Sequence, residues 1–388
     1  MNSMKLLLAI GCLATGLLVQ QSLAQQSAAQ AGDARTTRAT GGKFVQAKVD
    51  NPEYRPNELF QAYENYYSPR IALLRSKYKL DDVVKNETDE WRRILLLRHW
   101  IAEHVRIDNN PVPVESDAFA ILDSALKGNG FHCGHFSIVE SAVLNSFGYV
   151  ARRLGCGPGR AGMDGFHGTD EVWVNKFGKW VVVDAKYDKH FEKDGVPMSA
   201  LDIRDEVIKD GGKSIKDCYG LDGRETTDRF KPDDEKFGPT AETYRWIDWE
   251  VTTNYFTNTP GYKASSQVLY SDDFSRKNTW VRGGKQNWII GSSYAIVTTN
   301  RGWIEWTPNV IDSNVKISGE QAAIHLESFT PNFRSYQMSG AKGWEDCSDS
   351  LTLKLEKPGN RFAFCTINLF GVAGPVHEVQ IDFQGASK

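Results

Sequence analysis

Three side chains that together perform nucleophilic chemistry occur in order along the chain. Cys133 lies in "GNGFHCGHFSIVESAVLNSFG", His167 opens "HGTDE", and Asp184 ends the run "GKWVVVDA". A cysteine nucleophile needs a lowered pKa, a base that also returns the proton, and a group that orients the base. Phe136, Val139, Val143 and Phe147 recur at helical spacing, and Gly148 is the expected stop. This spacing predicts a helix with Cys133 at or within its first turn. A helix N-terminus carries partial positive charge, and its free N–H groups can hold an oxyanion. His167 opens a predicted strand and Asp184 closes the next one. A hairpin turning at "NKFG" brings Asp184 opposite residues 167–170, the Cys–His–Asp arrangement in which the carboxylate orients the imidazole.

Residue type alone leaves Cys133 other roles: an inert buried thiol, half of a disulfide, or a metal ligand with His132 and His135. Residues 132–135 at a helix start do not all converge on one ion without a further ligand, so neither metal nor cofactor is expected. Arg152 and Arg153 alternate along a predicted strand, which turns one toward a cleft, with Arg152 as the supporting or substrate-binding candidate, or leaves both on a solvated edge. His132 borders the expected oxyanion position.

The elements that must carry these groups are read from the rest of the chain. Its 388 residues suggest two domains plus extras. Hydrophobic and aromatic contents of 40% and 11% exclude a disordered protein. A net charge of −3 provides no basic field for nucleic acid or an anionic membrane. Residues 1–24 read as a secretory signal peptide, with Lys5, an apolar run from Leu6 to about Val19, and Ser22 and Ala24 before cleavage. The run is too short to span a membrane. Cys12 in "AIGC" loosely resembles a lipoprotein acceptor but is followed by more apolar sequence. The expectation is an exported protein without stable membrane insertion, preceded over residues 25–51 by a flexible leader.

Amphipathic helices are expected over 56–78 and 89–105, with short helices at 117–130, near 199–210 and at 241–251. Strands are expected at 149–156 and, as two joined by a turn, over 167–187. Beyond about residue 254 short alternating runs between Gly, Pro and Asn suggest an all-β sandwich. The expected organisation is α+β: a core domain over 52–252 and a β-sandwich domain over 255–388. Five cysteines follow Cys12, and an exported compartment permits disulfides. Cys347 and Cys365 flank a predicted hairpin and could face each other; Cys156 and Cys218 could close a long loop, leaving Cys133 free. The alternative pairs Cys133 with Cys156 and frees Cys218.

Taken in order, "LRHWIAEHV", "SDAFAILDSALKGNGFHC", "GYVARR", "HGTDE" and "GKWVVVDA" resemble the transglutaminase-like superfamily over roughly residues 85–205. The resemblance implies a papain-like fold, a Cys133–His167–Asp184 triad working through an acyl-enzyme, and Glu171 as a supporting residue near the triad. Thr169 stands where members often have an aromatic residue, His132 replaces the glutamine of animal transglutaminases, and no acidic loop resembles a calcium site. The expected activity is therefore hydrolysis or transfer at an amide or peptide-type bond of a peptide, protein or glycan substrate. Two alternatives stand beside it: a carbohydrate-active lyase or glycan-linkage hydrolase on the same fold, and a non-catalytic extracellular binding protein. The Trp-rich C-terminal region, with Trp280, Trp288, Trp303, Trp306 and Trp344, bears on the first of these.

Overall fold

The structure, a computed structural model, describes residues 42–157, 166–227, 240–254, 256–257, 267–272 and 296–385. The expected signal peptide, Cys12, most of the leader, the loop 158–165, Trp280 and Trp288 lie outside the described residues. In chain order the first elements are β1 (Lys43–Ala47), α1 (Pro69–Lys77), α2 (Leu80–Val84), α3 (Glu90–His104), β2 (Arg106–Ile107), α4 (Ala118–Ala125) and β3 (Gly130–Phe131). The site-bearing elements follow: α5 (Cys133–Ser146), β4 (Ala151–Gly157), β5 (His167–Val174) and β6 (Lys179–Val183). Then come β7 (Lys189–Lys193), β8 (Val196–Pro197), α6 (Ala200–Asp210), β9 (Lys216–Tyr219), β10 (Trp246–Glu250), β11 (Gln267–Tyr270), β12 (Ile296–Thr298) and α7 (Arg301–Ile304). The chain ends in β13 (Ile311–Ser318), β14 (Gln321–Ser328), β15 (Phe333–Gly340), β16 (Gly343–Cys347), β17 (Ser350–Lys354), β18 (Gly359–Asn368) and β19 (His377–Gln384). The fold is mixed, with a helix-and-sheet core and a largely β C-terminal part.

A six-stranded sheet of order β12-β11-β10-β4-β5-β6 organises the core. Alternation along β4–β6 gives it two apolar faces. Ala151, Val172, Val174, Val181 and Val183 pack with Phe136, Val139 and Val143 of α5. On the other face Val150, Leu154, Trp173, Trp180 and Val182 pack with Leu201, Ile203 and Val207 of α6. Trp173 and Trp180 are thus core residues, and so is Trp306. Full burial of each Val or Phe contributes roughly 1.5–3 kcal/mol, so these contacts fix α5 firmly on the strands. Helix α5 ends where Gly148 takes φ +82°, with the Phe370 side chain so close that a Cβ would meet its Cβ at 2.5 Å. Asn145 then ties the helix end to the next strand, exchanging hydrogen bonds with Ala151 O (3.1 Å) and Ala151 N (3.2 Å).

The C-terminal part has a five-stranded sheet, β1-β19-β18-β15-β16, and a three-stranded sheet, β13-β14-β17, which share one apolar core. Two expectations change here. Residues 43–47, assigned to the leader, form a strand paired with β19, because Phe44 enters that core beside Phe383. Cys347 and Cys365 are both free, and β15 runs between their strands. Two strand spacings, roughly 9.5 Å, exceed the Cα separation that a disulfide spans. Cys156 on β4 and Cys218 on β9 are also free and buried in different sheets.

Two further differences concern the region before residue 300. Only Ala241–Arg245 is helical, as one 3-10 stretch, and Trp246–Glu250 continues as the central strand β10. Its residues Ile247 and Trp249 alternate into the core, a period-two pattern hidden within an apparently helical one. Strands β11 and β12, which lie beyond residue 255, join the core sheet through β10. No helix among the described residues is long and apolar enough to cross a membrane.

Candidate active site

Cys133 is the first residue of α5 and is partly exposed. His132 is the N-cap, and its Nδ1 accepts from Gly134 N at 3.1 Å. Accepting at Nδ1 places the ring proton on Nε2, so His132 presents a neutral N–H donor. The His135 and Phe136 N–H groups are spent on His132 O. What remains at the helix end is the N–H of Cys133 itself, beside the His132 ring.

His167 begins β5, directly opposite Cys156 of β4, and Asp184 follows β6. The strand register Asp170↔Val183 brings the two ends together, as the hairpin pattern predicts. His167 Nε2 lies 2.7 Å from Asp184 Oδ2, and both residues are buried. Asp184 Oδ1 accepts from Tyr187 N at 3.2 Å, which holds the carboxylate in place. With Nε2 engaged by Asp184, Nδ1 is the ring nitrogen that faces Cys133. The thiol is hydrogen-bonded by the side chains of His132 and His167 and by Gly168 N–H.

These contacts decide the charge state. Burial alone would raise the Cys133 pKa, but hydrogen bonds from His132 and His167, the His167 charge and Gly168 N–H bring it down to about 4. Burial opposes charge on His167 as well, yet Asp184 and the Cys133 sulfur raise its pKa to about 9. Burial likewise disfavours the Asp184 carboxylate, and the His167 charge and hydrogen bond more than offset it, so its pKa is lowered. The pair is accordingly thiolate–imidazolium across the neutral range. The other described thiols behave oppositely. Burial raises Cys218 to about 12 and Cys365 to about 11, and also pushes up Cys156 and Cys347.

Cys133 and His167 open onto a cleft of about 320 Å³. Gly168, Gly155 and Asp248 stand side by side across β5, β4 and β10 on its floor. Phe166 and Trp246, packed edge to face at 5.5 Å, form an apolar wall, and Arg153, ion-paired to Glu250 at 3.1 Å, forms a charged one. The sequence reading missed this wall. Strand alternation points to one of the two arginines, but Asp248 and Glu250 lay inside the region assigned to a helix.

Arg152 and Glu171 are brought together, but away from the cleft. Glu171 Oε2 accepts from Arg152 Nη2 (2.7 Å) and Trp249 Nε1 (2.8 Å), and Oε1 accepts from Ala200 N at the start of α6 (2.7 Å). The Arg152 guanidinium lies 3.8 Å from the Trp180 ring centre. Both residues are about 1% exposed, which rules out direct substrate contact in this arrangement.

One described group gathers metal-ligating atoms, His190, Glu192 and Cys218, whose donors lie within 4.8 Å of one another. His190 and Glu192 alternate on β7, and Cys218 sits opposite His190 on β9. Arg98 Nη1 lies 3.0 Å from His190 Nδ1, and since an arginine only donates, Nδ1 accepts. The ring proton therefore sits on Nε2, which reaches Glu192 Oε1 at 3.0 Å. A metal at Nε2 would leave the ring without an N–H, and Cys218 is a thiol rather than a thiolate. This cluster closes on its own hydrogen bonds and does not fit a metal.

Residues 78–185 match the sequence model of the transglutaminase-like superfamily. No curated protein matches the chain. Among solved structures, a candidate cysteine protease from Cytophaga hutchinsonii aligns with 32% of this chain and 40% of its own. The identity is 17% and the TM-score 0.26, so nothing of that protein's activity is carried over. The match, confined to residues 78–185, is to a family model and agrees with a cysteine-type enzyme core.

Proposed function

We propose that the chain is an exported cysteine-dependent enzyme that cleaves or transfers an amide or peptide-type bond through an acyl-enzyme. One observation carries this reading: Cys133, His167 and Asp184 form a continuous hydrogen-bonded chain that meets the cleft at Cys133 and His167, with Asp184 behind them. Export rests on residues 1–24 of the sequence.

In this mechanism the Cys133 thiolate attacks the carbonyl carbon and forms an S–C bond, while the carbonyl π pair moves onto oxygen. The donors assigned to that oxyanion in this mechanism are the Cys133 N–H at the start of α5 and the Nε2–H of the adjacent N-cap His132. His167 then gives its Nδ1 proton to the leaving nitrogen, the C–N bond breaks, and a thioester remains. Water or an acceptor amine enters, losing a proton to His167 as it bonds to the acyl carbon. Collapse expels the thiolate and restores the imidazolium. Asp184 keeps Nε2–H engaged throughout, so the ring presents Nδ1 to the reaction at each stage.

The test is a panel of peptide amides, isopeptides and glycan-linked substrates, with intact-mass detection of an acylated enzyme. Release of amine with transient acylation at Cys133, abolished in Cys133→Ala, is expected. Release of glycan without acylation would favour the carbohydrate-active alternative. Absence of any turnover together with an unreactive Cys133 would overturn the enzyme reading.

A further inference from the structure

Beneath the site lie two carboxyl groups that the mechanism does not use. Glu140 is on α5, two turns below Cys133, and Asp170 is on β5, three residues after His167. Both are buried, at 1% and 0% exposure. Glu140 Oε2 accepts from the N–H of Ala185, the residue next to Asp184, at 2.9 Å. Among the described residues, its Oε1 and both oxygens of Asp170 have no hydrogen-bond partner assigned. Ser137 is the one hydroxyl beside Asp170 among the described residues, and it also donates to Thr169 O at 3.3 Å and accepts from Arg153 Nε. The pair therefore touches all three carriers of the site: the cysteine helix, the histidine strand and the aspartate turn.

Two adjacent carboxylates buried this deeply repel each other and are poorly solvated, so ionising both is strongly disfavoured. Glu140 faces Asp170, Asp184 and, from α3, Arg98. Asp170 faces Glu140 and Ser137 from α5, Arg153 from β4 and Glu250 from β10. The Arg153 charge is paired with Glu250. Burial, the largest influence on each, raises Glu140 to about 8 and Asp170 well above the carboxylate range.

We infer that Glu140 and Asp170 hold a shared proton and act as one positioning pair, fastening α5, β5 and the Asp184 turn so that Cys133, His167 and Asp184 stay in register. A proton between two carboxyl oxygens makes a short, charge-assisted bond. Loss of that proton leaves two like charges pressing α5 and β5 apart. The folded state keeps protons that the unfolded chain has already released. Its stability is thus fullest below the ordinary carboxylate pKa and declines as pH rises through about 8. The pair touches neither the sulfur nor the cleft, and its catalytic consequence rests on the triad reading above.

Three measurements on the full chain test this without needing turnover. Infrared difference spectra at pH 6.5 should show the carbonyl band of a protonated carboxylic acid, lost in Glu140→Gln/Asp170→Asn. The melting temperature of the wild type should fall between pH 6 and 9 more steeply than that of this double variant. Thiolate absorbance should titrate with an unchanged Cys133 midpoint in the double variant but about one unit higher in Glu140→Ala, a tenfold change in the ionisation constant. A wild-type spectrum without the acid band overturns the inference even if no variant folds. So do identical melting profiles, or an unmoved midpoint in Glu140→Ala. An enzyme without detectable turnover on amides would defeat the proposed function and leave these readouts intact.

Discussion

His167 Nε2 and Asp184 Oδ2 meet at 2.7 Å in a buried contact, while the opposite edge of the imidazole meets a sulfur that remains partly exposed. The orienting end of the relay is dry and the reacting end is open. Coulomb attraction is strongest where water is excluded, so Asp184 acts on His167 with little screening. The sulfur gains the resulting imidazolium as its counter-charge while staying within reach of a substrate.

Removing the Asp184 charge should undo both ionisations. In Asp184→Asn the shape is kept, but burial then dominates His167, whose pKa falls from about 9 toward or below the ordinary imidazole value. The neutral ring no longer supports the thiolate, and the Cys133 midpoint rises from about 4. Amide turnover should drop roughly 10²–10⁴-fold, the range for losing positioned acid–base catalysis. Ultraviolet titration of the thiolate checks the cause independently of substrate. An Asn variant with the wild-type midpoint would show that Asp184 does not govern the pair.

Labelling should single out one thiol. At pH 6 iodoacetamide should modify Cys133 and leave Cys156, Cys218, Cys347 and Cys365 untouched, since burial raises the pKa of each of those four. The pH–rate profile on any substrate that the proposed mechanism turns over should be bell-shaped. Its acid limb follows protonation of the thiolate near 4, and its alkaline limb follows loss of the imidazolium proton near 9. Those limbs belong to the coupled pair rather than to either residue. Peptide mapping after brief labelling, alongside the pH–rate curve, reads both. Equal labelling of Cys133 and Cys347 would contradict the charge assignment.

The juxtaposition of Cys133, His167 and Asp184 was legible because each of them sits at an element boundary that local sequence marks. Gly128 and Gly130 set off the start of α5, the "NKFG" turn sets the β5–β6 register, and Val181–Val183 mark a buried strand. Glu171 and Arg152 were legible as residues that matter but not as to where they point. The same strand alternation that sends Arg153 to the cleft sends Arg152 to the opposite face. The Glu140–Asp170 contact was not legible, because it depends on which turn of α5 crosses which residue of β5. Strand β10 was hidden because "WIDWE" follows a short helical turn and its aromatic spacing fits either period. The pairing of β1 with β19 joins the two ends of the described chain, and no local pattern announces it.

Cys347 and Cys365 should contribute no crosslink. Denaturation and alkylation without reductant should leave both alkylated, and Cys347→Ser should change stability by well under the 2–5 kcal/mol typical of losing a native disulfide in a small domain. Cys365 is buried, so its replacement by Ala tests packing rather than bonding. A mass lower by two hydrogens in the unreduced protein, mapped to these two residues, would require β15 to leave its place between them.

Glu171→Ala should unfold the core more readily without altering Cys133. Glu171 accepts from Arg152, Trp249 and the first N–H of α6, while Arg152 Nη1 donates to Ile304 O at 2.6 Å. The pair thus joins β4, β5, β10, α6 and α7 on the sheet face opposite α5. Deleting the carboxylate leaves a buried guanidinium without its counter-charge, and breaking such pairs costs about 3–5 kcal/mol. Lysine cannot replace Arg152, because a point charge reproduces neither the two-pronged contact with Glu171 nor the stacking on Trp180. Urea unfolding should therefore show a large loss in both Glu171→Ala and Arg152→Lys. The thiolate midpoint and the rate of Cys133 alkylation should stay at wild-type values under folding conditions. A midpoint that moved in Glu171→Ala would instead make this residue part of the electrostatics of the triad, which the sequence resemblance implied and its burial behind Arg152 opposes.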